Sequence, residues 1–197
     1  ESRPCTALLH GGVGTGKTVT AARFGKDIVD YAMKNRRNID FALVNCRIRN
    51  SDYAVVLELL RHFNKNYPEM GSTMDQMLNT LRIHLERKSL NLIIALDEVD
   101  VLLKGKEREL VYYFTRMNAD LRGASVSLVL ISQTSISDYL DEACISTFQR
   151  ANAITFNAYT RDELRDIIAS RVDLALVDGA IGSDEIELMA DIASQFH

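Results

Sequence analysis

The sequence predicts an α/β fold in which a mostly parallel sheet carries helices on both faces and is followed by helices alone. Short apolar runs alternate with longer segments whose apolar residues recur at helical spacing, a pattern typical of parallel strands joined by helices. The run Leu92–Leu96 is apolar at every position, as expected for a central strand covered on both faces. After Phe156 no strand pattern recurs, so the rest of the chain is predicted to be helical.

Each predicted strand is a short apolar run bounded by turn-forming or polar residues. Pro4 and Gly11 delimit the first strand, and a glycine-rich loop follows it. The predicted strands are Thr6–His10, Phe41–Cys46, Leu92–Leu96, Val126–Ile131 and Ile154–Phe156.

Each predicted helix repeats apolar residues three or four positions apart, as Ala21, Phe24 and Ile28 do in the first. Pro68 separates the second helix from the third, which begins at Ser72 or Thr73. The predicted helices are Lys17–Arg36, Asp52–Phe63, a helix from Ser72 or Thr73 through Leu85, Lys106–Leu121, Arg161–Leu176 and Ser183–Phe196.

Length and charge narrow the class of protein. A chain of 197 residues is long enough to bury its own core. Its formal net charge of −4 excludes a polycation, so any contact with nucleic acid requires a local basic patch. Every apolar run is far shorter than the ~20 residues that span a bilayer. Three cysteines without CxxC spacing indicate reduced thiols in a cytoplasmic protein.

One domain boundary is predicted near Asn157, where the last strand gives way to helices. Residues 1–157 then form a nucleotide-binding core and residues 158–197 begin a helical domain. The last predicted helix runs to His197 without a capping residue, so we expect the sequence to be part of a longer protein.

The segment Gly11–Thr18 fits the phosphate-loop pattern G-x-x-x-x-G-K-S/T between a predicted strand and a predicted helix. Its glycines allow successive backbone amides to face one anion, toward which the following helix directs its positive end. Lys17 is predicted to reach the β- and γ-phosphates, and the Thr18 hydroxyl to bind Mg²⁺. The predicted nucleotide-binding residues in this segment are Gly12, Val13, Gly14, Thr15, Gly16, Lys17, Thr18 and Val19. The alternative is a glycine-rich turn with an incidental lysine.

Acidic residues follow the central strand directly. Asp97, at its carboxyl end, is predicted to be the second Mg²⁺ partner, usually through water. The adjacent Glu98 can orient an attacking water or accept its proton, which makes it the candidate general base. The alternative is a solvated acidic turn.

Together these motifs resemble the AAA+ ATPases and, more narrowly, the archaeal origin-recognition (cell-division-control) replication initiators. The stretches that carry the resemblance are His10–Thr18, Val44–Arg47, Leu96–Asp100, Ile131–Ser132 and Phe156–Thr160, followed by Leu164, Ile168 and Arg171. The resemblance runs almost end to end. It implies a three-layer sandwich with a five-stranded sheet in the order 5-1-4-3-2, followed by a helical lid.

The resemblance also implies ATP or ADP with Mg²⁺ as cofactors, slow ATP hydrolysis, and a nucleoid-associated protein in the cytoplasm. Its implied partners are origin double-stranded DNA, a replicative helicase and other initiator subunits. Most of the DNA contact is expected from a winged helix beyond this sequence, and some from a helical insertion within residues 48–86. Tyr159 and Ile168 are predicted to approach the adenine; ordinary packing is the alternative.

Two positions depart from the family pattern. Gln133 stands where the family has a sensor asparagine, and its amide can still donate to a γ-phosphate or to the attacking water. Ala143 stands where the family has an arginine finger, with Arg150 as the nearest substitute unless it is a solvated surface residue. Without a finger, turnover is expected to be slow.

Small basic clusters at Arg47/Arg49 and at Arg82/Arg87/Lys88 are candidates for contacts with DNA phosphates. Two other functions stay open: a nucleotide-gated signalling switch, and a nucleotide-stabilised scaffold without useful turnover.

Overall fold

The structure is a computed structural model that describes residues 4–105, 109–134, 136, 152–177 and 179–195. Five strands form one sheet within this part of the chain: β1 (Thr6–Gly11), β2 (Ile39–Asn45), β3 (Asn91–Asp97), β4 (Ser125–Ser132) and β5 (Asn152–Phe156). Their order is β2-β3-β4-β1-β5, and the pairs β2/β3, β3/β4 and β1/β4 are parallel. Read from the other edge, this is the predicted order 5-1-4-3-2, and the predicted fold class is confirmed.

The described helices are α1 (Lys17–Lys34), α2 (Asp52–Phe63), α3 (Met74–Lys88), α4 (Val99–Leu103), α5 (Leu110–Asp120), α6 (Arg161–Ala175) and α7 (Ser183–Ser194). Short α4 was not predicted, because its first turn lies in the acidic motif. The helix predicted to start at Lys106 is described from Leu110, and residues 106–108 lie outside the described residues.

Polar side chains define where two of the helices begin. Of the two residues predicted to open α3, Thr73 is the cap: its side chain accepts from the Gln76 amide while the Gln76 side chain accepts from the Thr73 amide. Thr160 and Glu163 form the same reciprocal pair at α6. Such caps satisfy amides that have no partner within the helix.

The chain divides into two compact units. The first comprises Glu1–Gly11 and Gly16–Thr155, and the second comprises Gly12–Thr15 and Phe156–His197. In the second unit α6 packs against α7, and Arg161 of α6 forms ion pairs with Glu187 and Asp191 of α7.

The core of the first unit is built around β3. The buried cluster that joins this strand to α2, α3, α5 and β4 includes Leu59, Leu81, Leu92, Ile94, Leu96, Phe114 and Leu130. Burying each such side chain contributes ~1.5–3 kcal/mol, which fixes the carboxyl end of β3 in a rigid frame.

Helix α1 approaches β2 closely at Gly25. A Cβ atom built on Gly25 would lie 2.1 Å from Cδ1 of Phe41 in β2, so no larger side chain fits without displacing the ring. The aromatic ring of Phe24 also meets Phe41 edge-on, with 6.3 Å between the ring centroids.

In the described part of the chain, no helix combines the length and the apolar character that crossing a membrane would need.

Candidate functional site

The candidate site lies at the carboxyl ends of the parallel strands. Because β2, β3 and β4 are neighbours and run in the same direction, the residues that follow them meet at one edge of the sheet. Arg47 follows β2, Glu98 follows β3 and Gln133 follows β4, and β1 leads into the phosphate loop.

In the first unit, the phosphate loop ends at the start of α1. Gly16 is the N-cap of α1, with a left-handed φ of 86° that favours glycine. Lys17 is buried, and its Nζ donates to the carbonyl oxygen of Gly11 over 2.7 Å. The first turn of α1 contains no acidic residue and no side-chain cap, so its positive end suits an anion.

The residues Gly12–Thr15 belong to the second unit. Gly14 has a φ of 81°, and the hydroxyl of Thr15 donates to the carbonyl oxygen of Gly12 over 2.9 Å. These features shape a tight turn, while Val13 is 72% exposed at its surface.

Thr18 and Asp97 form the candidate metal site. The Thr18 hydroxyl donates to the Asp97 carboxylate, at 3.0 Å from Oδ2 and 3.1 Å from Oδ1. Burial raises the pKa of Asp97, while the Thr18 hydroxyl and the Glu98 amide oppose the shift by donating to the carboxylate. A hydroxyl and a carboxylate are hard oxygen ligands of the kind Mg²⁺ takes, so these two residues could hold it.

Glu98 is held in a single position by two partners. Its backbone has a φ of 53° at the N-cap of α4, a conformation uncommon outside glycine and found at functional sites. Its Oε2 pairs with Nε of Arg47, and its Oε1 accepts from Nε2 of Gln133 over 3.2 Å. The structure therefore brings Gln133 to Glu98, but both carboxylate oxygens are engaged.

Asp100 is a buried carboxylate to which sequence reasoning gave no role. It accepts from the Ser132 hydroxyl over 3.3 Å and pairs with Lys104 over 3.6 Å, and so joins α4 to the end of β4. The contact of Arg47 with Glu98 was also missed, since Arg47 was considered only for DNA phosphates. The signal was present in the predicted strand order, which makes β2 and β3 neighbours.

Val19, Tyr159 and Ile168 are the other residues predicted to bind nucleotide. Val19 is 66% exposed on α1, while Tyr159 and Ile168 are half-buried in the second unit. The structure gives no contact that assigns them to adenine, and this role stays a prediction. Ala143 and Arg150 lie outside the described residues.

The second basic cluster is partly neutralised within α3. Arg82 lies 3.7 Å from Glu86 and donates to Asn79 over 2.9 Å, whereas Arg87 and Lys88 are exposed.

Known proteins are similar to this chain in sequence and in fold. Residues 3–140 match the family described as an AAA domain. The chain is 33% identical over 195 residues to the ORC1-type DNA replication protein 1 of Archaeoglobus fulgidus, covering 98% of this chain and 47% of that protein. It therefore spans about half the length of the curated relatives it matches.

Two solved structures extend the likeness to three dimensions. The Aeropyrum pernix ORC1 protein in complex with DNA has a TM-score of 0.89 at 30% identity, over 100% of this chain and 50% of that one. The Pyrobaculum aerophilum CDC6P structure has a TM-score of 0.81 at 28% identity, over 95% and 48% respectively.

Proposed function

This chain belongs to the AAA domain family of ATPases, and from that premise we propose that it is the ATP-binding and slowly hydrolysing part of a DNA replication initiator. The predicted resemblance to the AAA+ ATPases and to archaeal origin-recognition initiators is confirmed. The relatives favour the initiator over a signalling switch, because those compared above carry replication-initiator names.

One observation carries the proposal: Thr18, Asp97 and Glu98 stand together at the carboxyl edge of the sheet, next to the helix that begins at Lys17. In the bound state, the Lys17 ammonium would leave the Gly11 carbonyl for the β- and γ-phosphate oxygens. Thr18 and Asp97 would hold Mg²⁺, which supplies charge neutralisation on the phosphates. Glu98 would orient the attacking water and accept its proton, with the Gln133 amide donating beside it.

Slow turnover follows from the state of Glu98. Arg47 pairs with Oε2 of Glu98 and Gln133 donates to Oε1, so each oxygen that could orient a water already accepts from one partner, and loss of the Arg47 pair would leave Oε2 free to hold that water. Ala143 at the position of the family's arginine finger would lower the rate further, since a finger contributes ~10³–10⁵ in rate. A scaffold without turnover is the competing proposal.

The relatives extend the proposal to the whole protein. We infer that residues 158–197 begin a helical lid, and that the full protein binds double-stranded DNA; the structure of the Aeropyrum pernix ORC1 protein in complex with DNA supports a DNA partner. The replicative helicase and other initiator subunits are further proposed partners. The proposed location of the protein is the cytoplasm.

The proposal is tested by calorimetric titration of ATP with Mg²⁺. Lys17→Met keeps the length of the side chain and removes its charge. Because a charge-assisted hydrogen bond contributes ~1.5–3 kcal/mol, ATP should bind about 10- to 100-fold more weakly. Lys26→Met, on the exposed face of α1, is the matched control and should bind as the wild type does. Undiminished affinity in folded Lys17→Met would overturn the assignment.

A further inference from the structure

One edge of the sheet is open at β2. Strand β2 is the outermost strand of the described sheet, so β3 alone pairs with it there. The Cys46 amide donates to Asp97 and the Asn91 amide donates to Asn38, so even-numbered residues of this stretch direct their backbone groups to β3. In a parallel ladder the alternate residues direct theirs the other way, which leaves the odd-numbered residues facing the open edge.

Of these outward residues, Leu43 presents the accessible backbone. The Phe41 amide, before it, already donates to the carboxylate of Asp40 over 2.8 Å. The Asn45 carbonyl, after it, accepts from the Arg49 amide over 2.9 Å. Leu43 lies between them at the middle of the edge, and in the part of the chain that the structure describes no loop or side chain is found to bond its N–H or C=O.

A cavity of about 400 Å³ lies beside this edge, between β2 and α2. Its floor is apolar, formed by Ala42–Val44 and Leu59. The ionisable side chains that line it are Arg49, Glu58, Arg61, His62 and Lys65; Glu58 is the acidic one, and His62 is bonded to the carboxylate of Asp40.

These cations surround the cavity without being fully neutralised. Arg49 pairs with Glu58 over 2.9 Å at one end. Arg61 reaches Glu69 only at 3.6 Å, and no ion pair of Lys65 is found among the described residues. The lining therefore carries a net positive charge, which a ligand with carboxylates would complement.

We propose that this edge-and-cavity surface docks an extended, acidic segment of a partner protein, which adds a strand beside β2. The backbone of the segment would pair with the N–H and C=O of Leu43, as peptides do when they extend an exposed sheet edge. Its acidic side chains, on the cavity side, would lie toward Arg61 and Lys65, and its alternate apolar side chains would lie on the opposite face of the sheet, beside the side chain of Leu43. A peptide fits better than duplex DNA, because an open strand edge is extended by pairing with another extended backbone. The inference does not depend on nucleotide binding.

The probe is a short peptide of alternating glutamate and valine, blocked at both ends and labelled for fluorescence anisotropy, with a lysine–valine peptide as its control. Wild-type protein should bind the acidic peptide, less tightly as salt is added, and should not bind the basic one. The double variant Arg61→Glu/Lys65→Glu should bind at least tenfold more weakly. Lys26→Glu, a reversal of charge on α1, should bind as the wild type does.

A backbone variant tests the added strand itself. Leu43→Pro removes the outward N–H at an edge position where proline is tolerated, and should weaken peptide binding at least fivefold. Leu43→Ala keeps the N–H and should bind within about twofold of the wild type. On peptide binding, the Leu43 amide should exchange with solvent more slowly.

Three results would overturn the proposal: no binding of the acidic peptide, equal binding by the charge-reversed variant, or equal binding by folded Leu43→Pro. A random-sequence DNA duplex that displaces the peptide and loses affinity in Arg61→Glu/Lys65→Glu would instead assign the surface to nucleic acid.

Discussion

The proposed chemistry depends on the carboxylate of Glu98. It lies between a cation from the end of β2 and an amide from the end of β4, both delivered by the sheet. The ion pair with Arg47 engages Oε2, one of the two oxygens with which Glu98 could orient a water. Arg47 is largely exposed, so the pair is weak enough to open.

Removing the cation should therefore release the base. Arg47→Ala is expected to raise the rate of phosphate release from ATP about two- to fivefold, the range expected for loss of one exposed ion pair. Arg49→Ala removes a neighbouring arginine whose partner is Glu58, and should leave the rate unchanged. A lower rate in Arg47→Ala would mean that Arg47 assists the reaction.

Two histidines of the first unit are expected to titrate in opposite directions. The Asp40 carboxylate, bonded to His62 at 3.1 Å, raises the pKa of His62 above 6.5. Burial and then Lys88 lower the pKa of His84 below 6.5. NMR titration of the two ring signals should show His62 losing its proton at the higher pH, and Asp40→Asn should lower the midpoint of His62 while moving that of His84 much less.

The two pKa shifts determine how the free energy of unfolding depends on pH. The contribution of His62 to the free energy of unfolding is complete below pH 6.5, and it is lost as the pH rises through the raised pKa of His62. The His84 contribution is complete above pH 6.5 and is lost as the pH falls through its lowered pKa. The free energy of unfolding of His62→Gln should therefore differ most from that of the wild type below pH 6.5. An equal difference at every pH would contradict the pairing.

At this scale the sequence identified residues that lie together at the candidate site, but not the contacts between them; their chemical roles stay predictions. The phosphate-loop pattern and the acidic motif identify Lys17, Thr18, Asp97 and Glu98 because each pattern is local. The contact of Arg47 with Glu98 joins residues 51 positions apart, and it depends on strand order rather than on any local pattern.

Among the elements, α1 and β2 approach each other closely at Gly25 and Phe41. Gly25→Ala should destabilise the protein by ~1–3 kcal/mol, because the new Cβ meets the Phe41 ring, although alanine is the better helix former. The companion variant Phe41→Leu removes the ring, and Gly25→Ala should cost less in that background. Denaturant unfolding of the four proteins measures this coupling, and equal costs in both backgrounds would contradict the close contact.

Strands and long helices were predictable because burial imposes regular spacing on them. The central strand β3 is apolar from Leu92 to Leu96 and was recognised within one residue at each end. Helix α4 was not recognised, because five residues are too few to show a periodic pattern and the polar Asp100 interrupts its apolar residues. Its aspartate is buried because Ser132 and Lys104 satisfy it, a condition that no local pattern records.

At the scale of the whole molecule, the chain corresponds to about half of its curated relatives, and its net charge is −4. The residues proposed for metal binding and hydrolysis, Thr18, Asp97 and Glu98, lie at the carboxyl edge of the sheet, and the DNA contacts are proposed for the full protein. A site whose base is held by two side chains suits a protein that keeps its nucleotide for long periods. We therefore expect a nucleotide-dependent timer rather than a motor.

The most direct test of this account compares ATP binding and phosphate release in Glu98→Gln. The amide keeps the shape of the side chain but cannot accept a proton from water. ATP affinity should stay within about twofold of the wild type, while phosphate release should fall by ~10²–10⁴, the usual contribution of a general base. Glu58→Gln, which changes a carboxylate paired to Arg49 instead, should retain the wild-type rate. Hydrolysis by Glu98→Gln at the wild-type rate would contradict the central claim.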